Sequence, residues 1–282
     1  MESSDTSPDR HAFVEYHRPA LERDEARHNV LLSVLGRVAA DEGAKARWWS
    51  FDEPGACAAQ SPDFPIVLGD LSQPQCRALA EATRALDYPA VVGPDRTAVW
   101  FAERATELGI AFAAPIPEQI HALRDPPRYP GSPGEARLVG PDDAGLLFDW
   151  MVAFIDEAVP HQRPPSREQV TRFAADARFM LWVVDGEPVS MAGIARRLTD
   201  TAAIAPVYTP VHLRQRGYAG SVTAAIVDLI FAEGRTTACL YTDLRNPYSN
   251  RCYAKIGFKP LCLSWHYERA RTEPAPPVHV RS

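Results

Sequence analysis

"VYTPVHLRQRGYAGSVTAAIVDLIFAEG", residues 207–234, begins with the pattern of a strand and ends with that of an amphipathic helix. Between the two lie Arg214, Arg216 and Gly217, with few residues that could build a core. Backbone N–H groups at a helix start have no intrahelical acceptor, and the helix dipole adds partial positive charge there. A glycine in the turn permits positive φ and lets the backbone approach a ligand closely. The stretch has the makings of an anion nest for a phosphate or pyrophosphate. An ordinary strand-to-helix turn with two solvated arginines could be written with the same letters, so the flanking sequence must decide.

Upstream, "ARLVG" (136–140) reads as a strand, followed by helices over 141–159 and 166–178. Ser166 and Gln169 have capping-box spacing on the second helix. "FMLWVVDGEPVSMAGIARRL" (179–198) is a hairpin closing at Asp185-Gly186, and 200–209 is a third strand. Downstream come a strand at 237–244, a short helix at 246–258 and a last strand at 259–269. The order is strand, two helices, three strands, helix, strand, helix, strand. It mixes antiparallel hairpins with one parallel crossover, an α+β plan around a sheet.

Residues 1–27 read as a polar segment without regular pattern. A helix follows from 27 to about Gly43, then short strands at 46–51, 55–60 and 64–71. Ser72 is the expected N-cap of a helix with Pro74 in its first turn, and a strand at 89–93 precedes a helix closed by Gly109. Residues 110–124 read as an extended segment interrupted by prolines. "DPPRYPGSPGEAR" (125–137) has the composition of a linker. The expected units are a polar segment 1–27, an α/β unit 28–124, a linker 125–135, a second unit 136–270 and a tail 271–282.

The net charge of −6 and pI near 5.8 argue against nucleic acid as partner. Only three lysines occur, so nearly all cations are arginine and single surface arginines carry little meaning. The five cysteines form no Cys-x-x-Cys pair, which offers no zinc spacing and suits reduced thiols of a cytoplasmic protein. Residues 1–20 hold no apolar signal-like core, and no apolar run approaches spanning length, so no membrane partner is expected.

"RQRGYA" (214–219) is similar to the Arg/Gln-x-x-Gly-x-Gly/Ala signature of the GNAT superfamily of acyl-CoA-dependent N-acyltransferases. "LYTDLRNPYSNRCYAKIGFKP" (240–260) resembles that family's next segment, with Asn246, Tyr253, Gly257 and Phe258 at the matching points. The resemblance spans 136–268 in element order. It implies a mixed sheet that splays open and binds acetyl-CoA as co-substrate, without a metal. The amides of Arg214, Gln215, Arg216, Gly217, Tyr218, Ala219 and Gly220 would hold the pyrophosphate. The arginine side chains could be ligands or outer steering charge. Backbone groups of Val207 and Thr209 would pair with the pantetheine arm. Asn246 would bond the pantetheine, cap its helix, or both.

Transfer to an amine needs a base, because an ammonium has no lone pair, and a donor for the departing thiolate. A backbone N–H near 207–209 would steady the oxyanion. The resemblance makes Tyr253 the donor, with a plain core aromatic as the alternative. Glu157, Asp243 and His161 are candidate bases, and a water chain is a fourth option. The front half lacks the signature; its link is "GDLSQPQ". It reads as a degenerate GNAT-like domain or an unrelated α/β domain, packing on the other half or mediating a homodimer. The expected activity is transfer of an acetyl group to a small-molecule or peptide amine. The other function class is a non-catalytic acyl-CoA sensor acting through a protein partner.

Overall fold

The computed structural model describes residues 9–40, 46–159 and 163–270. The front half runs α1 (Arg10–Leu21), α2 (Glu25–Ala40), β1 (Arg47–Ser50), β2 (Cys57–Gln60), β3 (Ile66–Leu68), α3 (Gln73–Thr83), β4 (Ala90–Pro94), α4 (Thr97–Glu107) and β5 (Ile116–Leu123). The back half runs β6 (Glu135–Leu138), α5 (Ala144–Ala158), α6 (Arg167–Ala175), β7 (Phe179–Val184), β8 (Glu187–Arg197) and β9 (Thr201–Tyr208). It continues with α7 (Tyr218–Ala232), β10 (Thr237–Asp243), α8 (Pro247–Ile256) and β11 (Lys259–Glu268). Apart from the leading strand β6, the two halves repeat one element order.

All the strands join one mixed sheet in the order β1-β2-β3-β4-β11-β5-β10-β9-β8-β7-β6. The halves exchange their last strands. β5 pairs antiparallel with β10 of the back half, and β11 pairs antiparallel with β4 of the front half and with β5. The parallel crossovers are β3 to β4 and β9 to β10, each with one helix between its strands.

Each face of the sheet is covered by helices from both halves, as alternation of strand side chains requires. On one face α7 packs on Met180, Trp182, Ala192, Ile194 and Leu240, while α3 and α4 cover Ile66, Leu68 and Val91. On the other, α5 and α6 cover Phe179, Leu181 and Met191, and α1 and α2 cover Cys57, Ala59 and Val67. Ala26 of α2 reaches further, meeting Ala122, Ala203 and Cys239 at the junction of the halves. Small residues on both sides let α2 approach the centre of the sheet.

Several local readings hold. Ser72 is the N-cap of α3, and the Ser166/Gln169 capping box forms. Asp185 and Gly186 both take positive φ, as a two-residue hairpin turn of the primed type needs. The reading of 1–27 as patternless is corrected, because α1 begins at Arg10, capped by Asp9. Its buried stripe is Phe13, Val14, His17 and Leu21. A buried histidine in the stripe and Pro19 inside the helix hide the periodicity. His17 is satisfied, bonding Ser50 Oγ at 2.8 Å and accepting from Gly55 N–H at 3.1 Å. Residues 1–8 and 271–282 lie outside the described residues.

The segment 125–135 is laid against α7. Arg128 N–H donates to Ile256 O, Trp182 Nε1 to Pro133 O, and the Tyr129 hydroxyl to Asp228. Pro130 Cγ lies 2.6 Å from where a Cβ on Gly220 would stand, so that helical glycine answers to packing.

Candidate active site

The turn between β9 and α7 is built by two left-handed residues flanking one. Gln215 has φ 65° and Gly217 φ 86°, with Arg216 between. The first backbone bond that closes α7 is Ser221 N–H to Gly217 O, 3.0 Å. The amides before it lie outside the helical ladder, and Gln215, Arg216 and Gly217 are exposed. Tyr218 and Gly220 are buried. Gly217 is also where the 125–135 segment comes closest, since a Cβ there would meet Ser132 Cβ at 3.3 Å. The arrangement is an open cradle of backbone donors at a helix N-terminus, and it fits a diphosphate.

The arginines of the turn differ. Arg214 grips both carboxylate oxygens of Glu157 on α5, at 2.7 and 2.6 Å, and its Nε donates to Thr209 O. Arg216 makes one long contact to His212 O and, among the described residues, has no acidic partner. The Arg214 hydrogen bonds hold the Glu157 carboxyl below its usual range, against a smaller effect of burial. A carboxylate so held is a poor acceptor of an ammonium proton. Asp243 is in the same position, lowered by Arg245, which it binds through both oxygens. His161 lies outside the described residues.

Next to the cradle the sheet opens. β9 and β10 pair only at 201↔237, 202↔238 and 203↔239. Beyond those pairs β9 stays with β8 to Tyr208 and β10 stays with β5 to Asp243. A gap therefore separates 204–208 from 240–243. Val207 lies on β9 at the gap, opposite Ala192 of β8. Thr209 just beyond is buried, its hydroxyl 2.8 Å from Ser190 Oγ.

On the α7 side of the sheet, α8 stands beside the first turn of α7, with Cys252 Sγ 3.6 Å from where a Cβ on Gly220 would be. Asn246 caps α8, accepting from the N–H of Tyr248 and Ser249. Tyr253 follows on the same helix, half-buried and edge-on to Phe258 at 5.9 Å. Burial pushes its phenol up, so it keeps its proton at neutral pH. Tyr253 packs on the same apolar cluster as Val207, Leu213 and Tyr218, which sets it on the α7 side of the sheet beside the turn.

The opposite side of the sheet holds a polar cluster that sequence reasoning missed. Asn29 of α2 donates to the Tyr241 hydroxyl (2.9 Å) and accepts from Arg196 Nε (2.8 Å). The Arg196 guanidinium lies 6.0 Å from the Tyr241 ring centre. Across from Asp243 sits Glu118 of β5, so the two carboxylates share a face. Burial pushes the Glu118 carboxyl up to about 7; Asp243 adds to this and Arg196 opposes it. Among the described residues no hydrogen bond or ion pair holds Glu118. The alternation Cys239, Tyr241, Asp243 could have grouped the β10 members. Nothing in the sequence could have brought Glu118 to them.

Residues 181–270 match a family described as FR47-like protein. No curated protein sequence matches the chain. Among solved structures, a Drosophila structural-genomics protein is similar at 13% identity and TM-score 0.59, covering 92% of this chain and 90% of its own. A GCN5-related N-acetyltransferase from Sphaerobacter thermophilus is similar at 17% identity and TM-score 0.56, covering 84% of each chain. One from Kribbella flavida has 18% identity and TM-score 0.52, over 82% of this chain and 89% of its own. Identities this low speak for the fold. Residues 181–270 thus match the FR47-like model, and the chain's sheet has the fold of the GCN5-related N-acetyltransferases it is similar to.

Proposed function

We propose that the protein is an acetyl-CoA-dependent N-acetyltransferase acting on a primary amine of a small molecule or peptide, by direct transfer in a ternary complex. One observation carries this reading: a cradle of exposed backbone donors opens directly onto the gap between β9 and β10. The cradle is suited to the diphosphate of a long ligand, and the gap gives its extended arm an edge to pair with. Acetyl-CoA supplies an activated acyl carbon at the far end of that arm.

The chain's own groups take the remaining roles. The amides of residues 215–220 anchor the charged end, with Arg216 as steering charge, while the Arg214 amide, expected to join them, instead donates to Val211 O at 3.3 Å. Backbone groups of Val207 and Thr209 orient the arm, and a backbone N–H from this strand faces the oxygen that gains charge. Asn246 fixes the start of α8 and through it the placing of Tyr253. The Tyr253 hydroxyl meets the departing sulfur as a proton donor. No cysteine stands out as a nucleophile. Burial raises the Cys252 thiol despite Lys255, which keeps it neutral and favours direct transfer.

A second reading is a coenzyme-sensing module without turnover. The pinning of both Glu157 and Asp243 favours it, since it removes the back half's carboxylate bases.

Calorimetry with CoA, followed by an amine panel read by thiol release, separates the readings. The enzyme reading expects binding and thiol release with at least one amine. It also expects Tyr253→Phe to lower turnover by about tenfold or more with coenzyme affinity within about twofold. Binding without release on any amine supports the sensor. No binding by folded protein sinks both.

A further inference from the structure

We propose that Glu118, brought into the back half by the exchanged strand β5, is the general base that takes the proton from the acceptor amine. The assignment rests on the acyltransferase reading above and adds to it: the front half completes the active site.

Three geometric observations carry it. First, Glu118 sits one strand from the gap. β5 pairs with β10 through Asp243↔Glu118, at the end of β10 that has parted from β9. Second, it lies on the sheet face opposite α7 and α8. Leu240 of β10 packs with α7, so Tyr241 and Asp243 point to the other face, and their partners on β5 do the same. A coenzyme entering between α7 and α8 lies on the other face and does not compete with an acceptor reaching Glu118. Third, of the three carboxylates Glu157, Asp243 and Glu118, only Glu118 has no partner among the described residues. Glu157 is held by Arg214 and Asp243 by Arg245.

The surroundings set when it works. From β10 the Asp243 carboxylate and Tyr241 phenol face it, and from β8 the Arg196 guanidinium. From β11 come Ser264, its direct partner, and His266 two residues on. From α2 comes Arg27, which lines a small hollow with Ile120, Tyr241 and Ser264. Arg27 is occupied by Asp70 and Asp95, at 2.8 and 2.7 Å. A carboxyl pushed up to about 7 is half ionised near neutral pH, where a base is most effective.

The protons balance. The ammonium gives one proton to Glu118, directly or through one water, and its freed lone pair attacks the thioester carbon. The C–N bond forms, the C–S bond breaks, and the electron pair leaves on sulfur. Tyr253 protonates the thiolate and recovers a proton from the new amide nitrogen. Glu118 returns its proton to solvent, so one proton is released per turnover.

The test is Glu118→Gln, which keeps shape and removes the base. Coenzyme affinity by calorimetry is expected within about twofold of wild type, and kcat is expected to fall by about 100-fold or more. In wild type kcat/KM is expected to rise with pH to a plateau above about 7, and this acidic limb to disappear in the variant. A merely structural Glu118 would lower the rate without erasing the limb. Should the variant not fold, Glu118→Asp decides, by a limb that moves. Thiol release with an unchanged limb in either variant overturns the assignment and leaves the acyltransferase reading standing. Folded wild-type protein that binds no CoA overturns that reading, and the assignment falls with it.

Discussion

The two halves contain the same strand-to-helix connection, and one is closed where the other is open. In the front half, "GDLSQPQ" leads from β3 into α3. Gln75 Oε1 folds back over the helix start there, accepting from Ser72 N–H at 2.8 Å and from the Ser72 hydroxyl at 2.9 Å. Asp70 places a carboxylate in the same turn, where it binds Arg27 and His28. In the back half the corresponding turn holds no acid. It has Gln215 and Gly217 in left-handed backbone and an arginine, Arg216, with no acidic partner among the described residues. One fold thus yields a sealed end and an anion cradle, and the difference lies in what meets the first helical amides.

The sharpest way to break this comparison is to substitute a glycine in each turn. Gly217 has φ 86°, where a β-branched side chain is strained. Gly217→Val is expected to weaken CoA binding by about 30- to 150-fold, the equivalent of about 2–3 kcal/mol of strain at the cradle. Gly69 is constrained differently: a Cβ there would lie 2.5 Å from Gly55 O and 3.0 Å from Cys57 O, both backbone atoms. Gly69→Ala is expected to cost about 1–3 kcal/mol of stability in a denaturant titration and to leave CoA affinity per folded molecule unchanged. Equal loss of affinity in both variants would mean that the cradle is not a local device of the back half.

That contrast also marks how far the sequence could be read. Glycine in "RQRGYA", the Ser166–Gln169 box and Asp185-Gly186 are local signals, and each decides backbone within a few residues. They were legible, as was the element order of the back half. The exchange of β5 and β11 was not, because Ile116–Leu123 has a strand's letters and nothing in them names a partner. Read from sequence, the site belongs to one half. Glu118, Asn29 and Arg196 come from three elements that only the assembled sheet brings together. Segment 125–135 misled for the opposite reason. Its prolines and glycines read as slack, yet Pro130 and Ser132 fit against glycines of α7.

A smaller effect sharpens the front turn. Burial raises the Asp70 carboxyl, but His28 and Arg27 outweigh it and bring it down to about 2, below a usual value of 3.8. A depressed folded-state value means stability that is present above about pH 4 and lost as pH falls toward 2. Tm of the wild type is expected to drop more steeply across that interval than Tm of Asp70→Asn. Parallel curves would mean that the acid in this turn is neutral bystander charge. The half-exposed position of Asp70 keeps the difference modest.

The smallest expected effect concerns Glu157, an acid beside the open cradle. Glu157 and Arg214 form an exposed pair, with side chains 50% and 37% accessible, so Glu157→Gln is expected to change stability by less than about 1 kcal/mol. Its effect on the ligand has the opposite sign. Removing a carboxylate held at the edge of a diphosphate site takes away repulsion and releases Arg214 from a bidentate partner. CoA affinity is expected to rise about two- to threefold at low salt, and the gain to fade once the Debye length shrinks to about 3 Å near 1 M. A loss of tenfold instead would show that the pair holds residues 209–214 in shape through Thr209 O. The backbone of the cradle would then depend on an acid after all, and the contrast between the two turns would reduce to where that acid stands.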